Sequence, residues 1–304
     1  MKVAVTGASG FVGSALVRSL ADDGHEVVRL VRREPSGPDE RRWEPSGGPL
    51  DLGGVDAVVH LAGAGIGDRP WTPRYRRTIL LSRVQGTATI ARAVAEAGVP
   101  VLVSGSAIGF YGDTGDREVD EDAPSGAGFL AEVVRAWEAA ASPASDAGAR
   151  VAIARTGHVL GAGGGLLGKL LPLYRLGLGG RLGSGRQYWS WISLDDEVAA
   201  LRLLIDGDLS GPVNLTAPNP VTNAEFTRLL GQALHRPTPL PVPAFALRAA
   251  LPGFAREAIL PGQRVVPRRL AGAGFRYGDP ELGAAMPRIF KEARGGDLGP
   301  YGDR

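Results

Sequence analysis

Met1-Lys-Val-Ala-Val-Thr-Gly-Ala-Ser-Gly-Phe-Val-Gly13 is the stretch on which the reading of the fold turns. A short apolar run, Val3 to Val5, leads into a turn with glycines at Gly7, Gly10 and Gly13. An apolar helical pattern (Phe11, Val12, Leu16, Val17, Leu20) follows at once. Strand, glycine turn and helix in that order suit a pyrophosphate. The first glycine allows a tight turn, the second lets the backbone approach phosphate, and the third lets the helix lie close to the strand. The helix N-terminus then presents N–H groups and the positive end of its dipole to the anion. A glycine triplet alone also fits an ordinary turn between strand and helix. The strand before it and the helix after it favour dinucleotide binding, with Gly7, Ser9, Gly10, Phe11, Val12 and Gly13 as the expected contacts.

Outward from this stretch, strand and helix patterns alternate through the first half. Residues 26–31, 41–43, 55–61, 99–103 and 150–154 read as strands, and 79–97 and 128–141 as helices. Strands spaced by helices predict an α/β fold of Rossmann type, a doubly wound parallel sheet with right-handed crossovers. After residue 156 glycine becomes frequent over 161–185, around an apolar stretch at 166–178 that reads as a helix. Helices are expected at 195–205 and 223–234, a strand at 213–215, and short helices among the prolines beyond 236. The expected organisation is a dinucleotide-binding domain over 1–156 that also receives segments near 186–215. A smaller substrate lobe and C-terminal cap over 157–293 and a disordered tail over 294–304 complete it.

Composition bounds the function. A hydrophobic share of 44% and a charged share of 22% over 304 residues describe an ordinary globular protein. A pI near 9.1 overstates the basicity, since 34 basic residues face 32 acidic ones. A net charge of +2 gives no reason to expect a nucleic-acid or membrane partner. There is no Cys, which excludes disulfides, thiol nucleophiles and cysteine metal sites, and four scattered His give no metal-ligand spacing. The chain enters a strand within two residues, which reads as leaving no room for a secretory signal. No apolar run reaches the ~20 residues of a membrane span. A cytoplasmic monomer or homodimer acting on a small molecule is the expectation.

The end of the second strand addresses the cofactor. An NAD-binding unit of this kind carries Asp or Glu about 20 residues past the glycines, to hold the ribose 2′-hydroxyl. Here the sequence runs Val31-Arg32-Arg33. A carboxylate there repels a 2′-phosphate, whereas a guanidinium binds it bidentately. Two exposed arginines after a strand also occur as plain solvated surface. The missing acid and the added bases together favour NADP(H), with Arg32 and Arg33 as its contacts.

Four further stretches carry a family resemblance. Thr6-Gly-Ala-Ser-Gly-Phe-Val-Gly13, Asp56-Ala-Val-Val-His-Leu-Ala-Gly63, Ser106-Ala-Ile-Gly-Phe-Tyr-Gly112 and Leu194-Asp-Asp-Glu-Val-Ala199 resemble the extended short-chain dehydrogenase/reductase superfamily. Arg69-Pro-Trp71, Ser82-Arg83, Trp137-Glu138, Gly177-Leu-Gly-Gly180, Ser190-Trp-Ile192 and Leu260-Pro-Gly-Gln-Arg-Val265 narrow it. They are similar to an atypical subfamily labelled nucleoside-diphosphate-sugar epimerase or SulA-like. Ser193 departs from it, where the subfamily tends to have His. The resemblance implies further cofactor contacts at Leu61, Ala62, Gly63 and Ser104, and a phosphate contact at Arg83.

The superfamily's chemistry uses a Tyr with a Lys four residues later. The Tyr exchanges a proton while hydride moves, and the Lys lowers its pKa and holds the nicotinamide ribose. A phenol with a reference pKa of about 10 needs such help near neutral pH. The residues four after Tyr75, Tyr111, Tyr174, Tyr188 and Tyr277 are Ile79, Gly115, Leu178, Ile192 and Glu281, and Tyr301 has none. Lys occurs only at Lys2, Lys169 and Lys291. At the position the resemblance assigns to the pair stand Phe129 and Val133. The replacement candidates are Ser106, at the superfamily's Ser/Thr position, and Tyr111, beside the expected nicotinamide pocket. Glu132 and Glu138 join them, on the helix that normally carries the pair and usable as acids if desolvation raised their pKa. Each also has a structural reading, as a strand-end cap, a packed aromatic or an ordinary carboxylate. His60 reads as core, His158 as possible pocket lining and Arg155 as structural. Trp71, Trp189 and Trp191 suit either packing or a substrate wall, and 177–185 either a flap or a tight turn. The sequence thus points to an NADP(H)-dependent oxidoreductase or epimerase-like enzyme with a non-standard proton donor. The alternative is a silent dinucleotide-binding regulatory or redox-sensing protein.

Overall fold

A computed structural model describes residues 1–295. The chain runs β1 (Lys2–Thr6), α1 (Phe11–Asp22), β2 (Glu26–Val31), β3 (Glu40–Arg42), β4 (Ala57–His60), α2 (Pro73–Ala97) and β5 (Val101–Ala107). Then come β6 (Glu118–Val119), α3 (Phe129–Ala139), α4 (Ser142–Asp146), β7 (Arg150–Thr156), β8 (His158–Leu160) and α5 (Gly165–Arg175). The remainder is β9 (Tyr188–Trp189), β10 (Trp191–Ser193), α6 (Leu194–Asp206), β11 (Gly211–Leu215), β12 (Val221–Thr222), α7 (Asn223–Leu234), α8 (Ala244–Ala250), β13 (Arg264–Val265), α9 (Arg268–Gly272) and α10 (Leu282–Gly295).

Seven parallel strands form the central sheet in the order β11-β7-β5-β4-β1-β2-β3. Its inner strands β1, β4 and β5 carry apolar runs because both faces are covered. On one face Val3, Val5, Val59 and Val103 pack with Leu16, Leu20, Leu201 and Leu204 of α1 and α6. On the other, Ala4, Val58, Leu102 and Ile153 pack with Ile90 and Val94 of α2 and Ala144 of α4. A third core, built on Trp189, Trp191, Phe226 and Leu230, joins α5, α7 and α10. The strand order reverses between β1 and β4, and the crevice beyond their carboxyl ends is where open α/β sheets bind ligands.

Most expected elements are present, with shifted ends. α2 begins at Pro73, six residues before its apolar periodicity, because Thr72 caps it and proline suits a first turn. Its end is the expected one: Gly98 adopts φ +66° and closes the helix. The strand at 211–215 joins the sheet edge beside β7. The glycine-rich 177–185 segment is a packed turn, with Leu182 bridging Val242 and Gly180 against the Leu240 backbone. Arg294 and Gly295 belong to α10, and the rest of the expected disordered tail lies outside the described residues. Among the described residues no helix is long and apolar enough to cross a membrane, and no cluster suits a metal ion.

The C-terminal segment is laced onto the sheet's carboxyl end. β13 pairs with β6, Thr114 N–H donates to Gly262 O at 2.7 Å, and Gln263 donates to the carbonyls of Ile108 and Gly112.

Candidate cofactor cleft and the missing acid

Backbone geometry supports the role read for the first glycine turn. Gly7 takes φ +67°, and a Cβ there would lie 3.0–3.1 Å from the backbone of Leu61 and Ala62. A Cβ on Gly13 would sit 2.1 Å from Gly7 O, so only glycine lets α1 approach β1 this closely. Gly10 N–H donates to Gly7 O at 2.8 Å and tightens the turn. α1 opens with no side-chain cap and no acidic residue in its first turn, a helix end suited to an anion. Phe11 turns its ring away, against Gly161, Gly164 and Gly165.

The turn borders a cleft of about 1310 Å³ lined by Gly7–Gly10, Val31–Arg33, Leu61–Gly65 and the first turns of α2. Its floor is fixed from below. Thr6 Oγ1 accepts the N–H groups of Leu61 and Ala62, at 3.0 and 3.2 Å, so its single proton goes to His60 Nδ1, 2.8 Å away. His60 is fully buried, edge-on to Trp43, and burial pushes its pKa down to about 4. It is neutral, its proton is on Nε2, and its task is to hold the floor.

Arg83 and Ser104, both expected at the cofactor, do not line the cleft. Arg83 lies behind the cleft wall and not in it. Its Nη1 donates to Ala64 O at 2.8 Å and Ile79 O at 3.2 Å, and its guanidinium faces Trp137 at 5.0 Å. Burial lowers its pKa to about 10. Ser104 is wholly buried, and its hydroxyl donates to the carbonyl of Gly105 at 3.4 Å. Arg32 and Arg33 both line the cleft. Arg33 is held by Glu40, and Arg32 is exposed without a side-chain partner among the described residues.

None of the four acid candidates lines the cleft. Ser106 donates to Glu138 Oε1 at 2.6 Å, and Arg155 grips both oxygens of Glu138 at 2.8 Å. Arg155 also donates to Tyr111 OH at 3.0 Å, and Tyr111 donates to Asn214 Oδ1 at 2.7 Å. Phe110 closes the cluster, its ring 3.5 Å from the Arg155 guanidinium. Register explains the meeting: Ser106 faces Arg155 across β5 and β7, and α3 brings Glu138 over them. Every proton of Ser106 and Tyr111 already has an acceptor. Burial raises the Tyr111 pKa, the wrong direction for an acid near neutrality. Glu132 is exposed on α3 and has no part in this network. His158 is tilted against Trp189 at 5.2 Å, and burial lowers its pKa to about 4.

At the phenol's usual position, Phe129 packs edge-on to Trp71, which contacts Phe254, and Arg76 lies 4.1 Å over the Phe129 ring. Glu257 accepts the N–H of Leu130 at 3.2 Å and caps the helix that begins there. Sequence reading missed Glu257 and Arg76, because the contacts join segments far apart in the chain. It also missed Glu40, whose partner Arg33 lies on the preceding loop. Glu197 went unread as well: it is buried on α6, accepts from Thr156 at 2.8 Å, and burial raises its pKa to about 8.

Known proteins share this arrangement over nearly the whole chain. Residues 3–215 match the NAD dependent epimerase/dehydratase family, and residues 242–289 match a domain of unknown function, DUF1731. An epimerase family protein of Mycobacterium bovis is 50% identical, covering 93% of this chain and 96% of its own. One from Bos taurus is 42% identical over 95% and 99%. The crystal structure of human epimerase family protein SDR39U1 with NADPH superposes with a TM-score of 0.88 at 37% identity, covering 96% of this chain and 99% of that one. Glycine turn, switch-point cleft and these relatives agree: the chain belongs to the NAD dependent epimerase/dehydratase family.

Proposed function

We propose that this protein binds NADP(H) in the cleft and exchanges a hydride with a small-molecule substrate, without a side-chain phenol as proton donor. The observation that carries the reading is the uncapped α1 N-terminus opening, across Gly7 and Gly10, onto a cleft that also holds Arg32 and Arg33. A human relative solved with NADPH supports the cofactor. Bound there, the cofactor supplies or takes hydride at its nicotinamide ring. The chain's own residues bind and orient. The glycine turn and the first N–H groups of α1 receive pyrophosphate, the two arginines receive a 2′-phosphate, and the loop pinned by Thr6 and His60 forms the floor. With Ser106 and Tyr111 committed elsewhere, the proton comes from water or from the substrate itself. We propose a cytoplasmic monomer or homodimer, with no nucleic-acid or membrane partner.

Titration of NADPH fluorescence tests the cofactor. Replacing Arg32 and Arg33 by Ala weakens NADPH more than NADH, and equal losses sink the assignment. A panel of carbonyl, imine and nucleotide-sugar compounds tests turnover. The closed Ser106–Glu138–Arg155–Tyr111 network favours a second reading, a dinucleotide-binding regulatory or redox-sensing protein. NADPH binding with no oxidation by any compound of the panel would favour it.

A further inference from the structure

Arg33 does not wave in solvent. Its Nη1 donates to Glu40 Oε2 at 2.7 Å and to Glu34 O at 2.8 Å, and its Nη2 donates to Glu40 Oε1 at 2.6 Å. The Glu40 side chain is 4% exposed and sits on β3, at the edge of the central sheet. Its Oε2 also accepts the N–H and hydroxyl of Ser36, at 2.7 and 2.9 Å. One carboxylate therefore folds the β2–β3 loop around itself and fixes the guanidinium that the loop carries.

The donor count shows what remains. A guanidinium has five N–H groups. Both on Nη1 and the inner one on Nη2 are taken. The Nε–H and the outer Nη2–H are left, and they lie parallel along one side of the plane. That side is the fork which fits two oxygens of a phosphate. The Arg33 side chain is 57% exposed and lines the cleft, as do Glu40 and Arg32.

We propose that Glu40 is a positioning residue for cofactor selection, holding Arg33 so that its free Nε/Nη2 edge receives the 2′-phosphate of NADP(H). The inference rests on the proposed cofactor reading and adds a division of labour to it. Arg33 and Glu40 cancel in charge, so the clamp contributes oriented donors and Arg32 contributes the net positive charge. Glu40 also carries a latent penalty. Without Arg33 its carboxylate keeps only the Ser36 donors, its charge is uncompensated, and it repels NADPH, while NADH, lacking that phosphate, is indifferent.

The test is a set of dissociation constants for NADPH and NADH with the wild type, R32A, R33A, E40Q and the R33A/E40Q double variant. R33A is expected to lose about tenfold or more in NADPH affinity, the scale of a charge-assisted bidentate contact, with NADH little changed. E40Q loses several-fold for NADPH alone. The double variant binds NADPH more tightly than R33A, because the repelling carboxylate is gone. R32A weakens NADPH and flattens the salt dependence of its binding. If Glu40 were only a structural support, E40Q would weaken both cofactors alike and the double variant would be worse than R33A. Either result overturns the clamp. A wild type that binds neither cofactor overturns the dinucleotide reading itself, whereas a wild type that prefers NADPH with an E40Q preference unchanged overturns the clamp alone.

Discussion

Glu138 is the residue whose meaning the structure changes most. As a carboxylate on the helix that normally carries the catalytic pair it reads as a candidate acid, yet both its oxygens are held by Arg155 and one also by Ser106. Removing one partner of a buried ion pair leaves the other charge uncompensated, at a cost of about 3–5 kcal/mol. Glu138→Gln is therefore expected to lower the urea midpoint markedly while NADPH affinity holds, since the network does not line the cleft. Full stability with lost turnover would return Glu138 to a catalytic role. Glu197 makes a different claim, about pH. Burial holds its pKa near 8, against an ordinary value of 4.5, so below pH 4.5 the carboxyl is neutral in folded and unfolded chains alike. Above that pH the unfolded chain ionises and the folded one does not, so stability drains away as pH rises through 4.5 towards 8. Urea midpoints at pH 5 and pH 8 should differ less in Glu197→Gln than in the wild type. An unchanged difference would show that Glu197 ionises normally.

At the scale of elements, α1 and α3 illustrate what a sequence exposes. α1 was legible because its constraint is local: Gly7, Gly10 and Gly13 meet within one turn, and the steric reason for each lies within that turn or on the neighbouring β4 end. Gly13→Ala puts a Cβ 2.1 Å from Gly7 O. It should cost about 1–3 kcal/mol by overpacking and abolish NADPH binding together with stability, as calorimetry and titration can record. The doubly wound parallel sheet was legible for the same reason, since each apolar run and crossover is local, whereas the strand order comes from the structure. α3 was half legible. The absence of Tyr and Lys could be counted, but the destination of Glu138, the stacking of Arg76 on Phe129 and the cap from Glu257 all join residues of different elements, 17 to 127 positions apart. Val133, at the position of the usual lysine, is also buried. Restoring the pair with Phe129→Tyr and Val133→Lys should therefore destabilise the chain, with Val133→Lys carrying most of the loss as an unpaired buried ammonium. Phe129→Tyr alone should be tolerated. A stable double variant, judged by thermal unfolding, would show that room for the lysine persists.

For the whole molecule, the cleft is lined by residues between Gly7 and Ser82, and later segments brace one of its loops from outside. The sheet, α1 and the β4–α2 loop make its floor. Lys169 of α5 reaches Asp68 on that loop at 2.9 Å, and Phe254 from the C-terminal segment meets Trp71 there. Cofactor binding therefore loads a loop that the later segments brace, and it should stabilise them as one unit. A ligand that binds only the folded state adds RT ln(1 + [L]/Kd), about 2.7 kcal/mol at a hundred times Kd. At equal concentrations NADPH should raise the midpoint of thermal unfolding by several degrees more than NADH. The transition should stay single, because β13 pairing with β6 and Gln263 bonding the 108–112 turn tie the C-terminal segment to the sheet. Two transitions, of which NADPH shifts only one, would mean that the later segments unfold independently of the cofactor. An equal rise with NADH would place the source of affinity at the glycine turn and leave Arg32 and Arg33 without a part in selection.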